Sequence, residues 1–128
     1  MLIKQLSVFL ENRPGTLDEA LRILKDADVD IKALALADTS EFGVLRIIAD
    51  KPEEAKQAMK SAGYTSTVNE VISVELKAEV GYLAGIVKKI SAEGVNIEYM
   101  YAAPSDENEA KMMIKTDDPA RAEKAIAG

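Results

Sequence analysis

The chain repeats itself, and no other feature of its 128 residues limits the fold as much. Sliding the sequence by 66 positions sets Ser7-Val8 on Ser73-Val74, Leu10 on Leu76, Gly15 on Gly81 and Leu17 on Leu83. The same shift puts Val29-Asp30-Ile31 on Val95-Asn96-Ile97. One extra residue in the later loop then advances the register by one. Asp50 meets Asp117, Pro52 meets Pro119, and Ala55 and Ala58 meet Ala122 and Ala125. Matches in this order define two copies of one small unit, residues 1–69 and 70–128, with Asn69-Glu70 as the whole linker.

In the first copy Leu6, Val8 and Leu10 alternate with Ser7 and Phe9, the period of a half-buried strand. Asn12-Arg13-Pro14-Gly15 breaks it. A helix follows, with Leu17, Ala20, Leu21, Leu24 and Ala27 on one stripe. Asn12 is spaced as its cap and Pro14 suits its first turn. Ile31 to Ala37 reads as strand two, Asp38 to Gly43 as a turn and Val44 to Ala49 as strand three. Asp50-Lys51-Pro52-Glu53 is a helix start, with Asp50 as cap, Glu53 completing a capping box and Pro52 in the first turn. Ala55, Ala58, Met59 and Ala62 form the buried stripe, Gly63 stops the helix, and Tyr64 to Val68 is a fourth strand.

This order is βαββαβ, an α+β class with two helices on one face of an antiparallel sheet, the ferredoxin-like arrangement. The second copy runs Val71 to Lys77, a helix around Tyr82 to Ala92, Val95 to Ala102, Ala110 to Lys115 and a helix from Pro119. It ends at Gly128 without a segment matching Tyr64 to Val68, so the second repeat lacks its last strand. In this fold that strand lies beside the first, which leaves Val71 to Lys77 with an open edge. Either a partner covers such an edge or the sequence has been shortened. A unit of about 60 residues buries only about 60% of its unfolded surface. Assembly, as a homodimer, is therefore expected.

Charge and composition narrow the function. Lys and Arg number 16 against 22 Asp and Glu, a net charge of −6, which argues against nucleic acid. Histidine and cysteine are absent, which removes the usual general base, the thiol nucleophile and the commonest metal ligands. No enzyme, cofactor or metal centre is expected. No apolar run approaches the roughly 20 residues of a membrane span, and the start carries no secretory pattern, so the default location is the cytoplasm. Asp26, Asp28 and Asp30 lack the glycine turn and closing glutamate of a calcium loop. Met112-Met113 falls in a strand, one residue to the core and one to the opposite face. Asp106-Glu107-Asn108-Glu109 reads as a solvated acidic turn.

Glu11-Asn12-Arg13-Pro14-Gly15-Thr16-Leu17, between a first strand and a first helix, resembles the ligand loop of ACT domains. The whole chain is similar to paired ACT domains, and Asn96 to Ala102 resembles the second strand of the second domain in such pairs. The resemblance implies a small regulatory protein that binds an effector, commonly an amino acid, at an interface between two such domains; such a sensor is either free-standing or acts on an enzyme in trans. The residues it implies for the ligand are Asn12, Arg13, Pro14, Gly15, Thr16, Leu17, Gly81, Tyr82, Leu83, Asn96, Ile97 and Tyr99.

The chemistry is consistent. A helix N-terminus suits an α-carboxylate. Gly15 permits close backbone approach, Asn12 can accept from an ammonium, Arg13 can pair with a carboxylate, and Leu17 forms an apolar wall. The same loop is also a sound strand-to-helix connection with no ligand at all. The second loop departs from the motif: Ala78, Glu79 and Val80 replace Asn12, Arg13 and Pro14, and Glu79 would repel an anion. Tyr99 and Tyr101 serve either as packing or as a lid. The competing function is a ligand-free interaction module that docks on a partner enzyme or transporter.

Overall fold

A computed structural model describes residues 1–38, 42–105 and 110–128. The acidic turn at Asp106 to Glu109 and the tip of the Asp38 to Gly43 turn lie outside the described residues. The elements run β1 (Leu2–Glu11), α1 (Thr16–Asp26), β2 (Ile31–Asp38), β3 (Phe42–Ala49) and α2 (Pro52–Ser61). They continue as β4 (Ser66–Glu75), α3 (Tyr82–Ala92), β5 (Ile97–Ala103), β6 (Lys111–Thr116) and α4 (Pro119–Ala127). Asn69-Glu70, expected as a linker, lies inside β4.

Two compact units result: Lys4–Asn69, and Glu70–Gly128 together with Met1–Ile3. In the first, the sheet order is β2-β3-β1-β4. Antiparallel pairing sets Leu6 opposite Ile47 and Val8 opposite Leu45, so these four side chains share one face. Against that face pack Ala20 and Leu24 of α1 and Ala55 and Met59 of α2, all with no exposed surface. Full burial of a side chain such as Leu24 stabilises by about 1.5–3 kcal/mol, so this face anchors the unit.

The second unit rebuilds this core from its own copies of those residues. Ile72, Ile86, Ile90 and Val95 cluster with Met112, Ile114 and Ala122. These positions match Leu6, Ala20, Leu24, Val29, Leu45, Ile47 and Ala55 under the two repeat shifts. Met112 joins the core, and Met113, one residue on, lies opposite Ser73 on the other face, as the alternation of a strand requires.

No strand follows α4, as the repeat comparison predicts. The expectation of an open edge on β4 is corrected, however. Met1–Ile3 belong to the second unit, and the Ser73 N–H donates to the Met1 carbonyl at 2.8 Å. The opening residues of β1 thus stand where a last strand of the second repeat would stand, and the chain covers that edge at Ser73 itself.

Two capping assignments are also corrected. Asn12 does not cap α1: the position before the helix is Gly15, and no side chain bonds the first turn. Pro14 lies in the preceding turn, not in the helix. Nor does Asp50 cap α2, whose cap position is Lys51. Its carboxylate is engaged elsewhere, accepting the Asp30 N–H at 2.9 Å, while the Asp50 N–H donates to the Asp30 carbonyl at 3.1 Å. The second unit repeats this clasp: the Asn96 N–H donates to the Asp117 carboxylate at 3.0 Å, and the Asp117 N–H to the Asn96 carbonyl at 3.2 Å. The matched Asp50 and Asp117 therefore tie a strand start to a strand end. Asp118, one residue later, caps α4 by accepting from the Arg121 N–H at 3.2 Å.

Candidate functional site

Three connections of the first unit meet at the end of β1. Glu11 pairs with Phe42 at the start of β3, and the Phe9 N–H donates to the Thr65 carbonyl just before β4. The segment from Glu11 to Gly15 leads from the same place into α1. An antiparallel strand pair necessarily brings the end of one strand beside the start of the next.

The β1–α1 segment is held by a buried hydroxyl. Thr16 Oγ1 donates within reach of the Glu11 carbonyl at 2.9 Å and the Arg13 carbonyl at 3.1 Å, while the Arg13 N–H donates to the Glu11 carbonyl at 2.9 Å. Gly15 closes the turn at φ +93°, a left-handed conformation that glycine adopts without the Cβ penalty. A Cβ there would meet no atom within 4 Å, so the conformation, not crowding, requires glycine.

The result is an open cleft of about 340 Å³ walled by Phe9, Glu11, Arg13, Glu19, Phe42 and Tyr64, with Ala62-Gly63 on its rim. Arg13 Nε donates to the Glu11 carboxylate at 2.8 Å, and this bond raises the guanidinium pKa further above its ordinary value. Tyr64 and Glu19 line the same cleft, and the two side chains interact electrostatically. Partial burial first, and the neighbouring Glu19 carboxylate second, push the phenol pKa upward, so Tyr64 is neutral at physiological pH. Among the described residues no cation stands within ion-pair distance of Glu19. The cleft therefore presents one internally balanced ion pair, one further carboxylate and three aromatic side chains.

The candidate residues divide between the units. Arg13 and Thr16 line the cleft, and Leu17 packs half-buried against the core of the first unit. Asn12, Pro14 and Gly15 are exposed beside the cleft but do not line it. In the second unit Gly81 repeats the left-handed turn at φ +85°, with Glu79 N–H donating to the Lys77 carbonyl at 2.8 Å. Tyr82, Leu83 and Ile97 pack against that unit's core, and the Lys77 ammonium stands 5.8 Å from the Tyr82 ring centre. The Asn96 main chain is committed to the Asp117 clasp, and Tyr99 is half-buried on β5. A cleft of about 500 Å³ in this unit runs between Met1, β4 and α4, and none of these candidates lines it.

Phe9, Glu19, Phe42 and Tyr64 are the wall residues that motif reading passes over. A signal for them does exist. Glu19 sits three residues after Thr16, on the same helix face, and Tyr64 follows the Gly63 helix stop, in the turn that leads into β4 beside the end of β1. Among the described residues no group of acidic side chains is placed to hold a metal, Asp26, Asp28 and Asp30 included. No helix among them is long and apolar enough to cross a membrane.

Comparison with solved structures gives a close relative in protein BT0572 from Bacteroides thetaiotaomicron, at 33% identity and a TM-score of 0.89 over 99% of this chain and 88% of that one. The ligand-free regulatory subunit of aspartate kinase from Thermus thermophilus shares the fold at 15% identity, TM-score 0.69, covering 99% of this chain and 93% of its own. The corresponding subunit from Thermus flavus does so at 16% identity and TM-score 0.65, over 99% and 94%. No curated protein matches the chain. The family model that describes an ACT domain pair matches residues 1–127, and the chain belongs to that family of regulatory domains.

Proposed function

We propose that this ACT pair is a cytoplasmic regulatory protein that binds an amino acid or similar small effector where ACT domains meet, and that it works as a homodimer on an enzyme in trans. The observation that carries the reading is the cleft at the end of β1, which sets both charge signs and aromatic faces around a space of about 340 Å³. A zwitterion with a side chain needs such a mixture, and an anion alone does not. Arg13 is the group for the carboxylate, though it must share its guanidinium with Glu11. A role as a ligand-free docking module drew its support from an open β4 edge, and Met1 occupies that edge at Ser73.

The test is thermal unfolding of the whole chain against each common amino acid at millimolar concentration. A ligand present at 100 times its dissociation constant stabilises the fold by about 2.7 kcal/mol. Arg13→Ala is expected to weaken that response. If no amino acid moves the melting point, the effector reading is lost.

A further inference from the structure

Arg13 is paired at short range with Glu11, and Glu19, which shares the cleft lining with Tyr64 and feels Arg13 only at longer range, is the carboxylate in no ion pair among the described residues. We propose that the cleft selects its ligand by a primary ammonium group, held by Glu19 with the Tyr64 hydroxyl oxygen beside it, and that the ligand's apolar side chain lies against Phe9 and Phe42. The inference rests on the effector reading above and adds which end of the ligand is recognised.

Three observations on this corner lead to that choice. The formal charges on the walls are Glu11, Glu19 and Arg13, one negative charge in excess, so a cation gains and an added anion does not. Tyr64 lines the same cleft as Glu19 and stays protonated, and its oxygen lone pairs are ones that an ammonium with three donors can use. Phe9 and Phe42 are exposed at 42% and 49% at the mouth of the cleft, large apolar surfaces that favour an alkyl or aromatic side chain and, by their ring faces, a nearby cation. The arrangement reverses the expectation drawn from the loop motif, in which Asn12 takes the ammonium. Asn12 does not line the cleft.

The experiment compares three probes of one shape on the whole chain: phenylalanine, phenethylamine, which lacks the carboxylate, and 3-phenylpropanoate, which lacks the ammonium. Leucine, isoamylamine and 4-methylpentanoate form a second set. Melting shifts and calorimetric titration are read for the parent, Glu19→Gln and Tyr64→Phe. The amino acid and its amine are expected to bind, the acid to be silent, and Glu19→Gln to weaken the amine by about tenfold or more. Tyr64→Phe keeps the ring and should weaken it by a few fold only. Unliganded melting of each variant shows that it folds. Binding of the acid equal to that of the amine, or of the amine undiminished in Glu19→Gln, overturns this inference and leaves the effector reading standing. If neither an amino acid nor an amine binds, both are lost.

Discussion

The two strand-to-helix corners share a backbone and differ in nearly every side chain that could meet a ligand. Both turn through a left-handed glycine, Gly15 at φ +93° and Gly81 at φ +85°, and both place the same main-chain bond two residues earlier. Yet Glu11, Arg13 and Thr16 become Lys77, Glu79 and Tyr82. In the first corner a small buried hydroxyl ties the loop together and leaves room beside it. In the second, a ring fills against the core, with a lysine over it. The turn is what the fold needs, so both copies keep it. The side chains that wall the first corner's cleft are what the second copy replaces.

That contrast can be broken or sharpened by paired substitutions. The largest effects should come from the matched core positions Leu24 and Ile90, both fully buried. Leu24→Ala and Ile90→Ala are each expected to cost about 2–5 kcal/mol in urea unfolding. A much smaller loss at Ile90 would show that the second copy is not held by the same packing. Next, Thr16→Val removes the hydroxyl from two carbonyls and should cost about 1–3 kcal/mol, whereas Tyr82→Phe should be nearly neutral. Equal losses would dissolve the difference between the corners. Gly15→Ala and Gly81→Ala are expected to cost about 1 kcal/mol each, from the left-handed backbone alone. A marked inequality would mean that something beyond the turn constrains one of them.

The smallest effect concerns alkaline pH and the Tyr64 wall. Because the folded phenol pKa lies above its ordinary value of about 10, the native state keeps a proton that the unfolded chain releases. Its stabilising contribution is complete below that pH and is lost as pH rises through the folded value. Unfolding curves between pH 8 and 11 should therefore decline less steeply in Tyr64→Phe than in the parent.

Much of the fold is legible in the sequence because periodicity reports burial directly. The stripe of Ala20 and Leu24 marks α1, the alternation of Leu6, Val8 and Leu10 marks β1, and Tyr82 to Ala92 is α3 to the residue. Caps are harder, since an acceptor in the right place can be claimed by another donor. Asp50 is taken by the Asp30 N–H, and α1 starts after Gly15 with no side-chain cap, while Thr16 donates to the carbonyls of the loop before it. The cleft was half visible: Arg13 and Thr16 lie in the motif, while Phe42 joins through its register opposite Glu11, Glu19 through the face of α1 and Tyr64 through the turn before β4. The role of Met1–Ile3 leaves no local trace, because its partner Ser73 is 72 residues away.

That distance bears on how the molecule forms during synthesis. A ribosome releases Met1–Ile3 before the segment they must flank, with all of Lys4–Asn69 in between. The first unit can collapse on its own contacts while the leading tripeptide waits, exposed, for β4 to emerge. Completion of the second unit thus joins two segments that are far apart along the chain, Met1–Ile3 and Glu70–Gly128. A lesion in Leu2 would delay that closure and leave the earlier half intact.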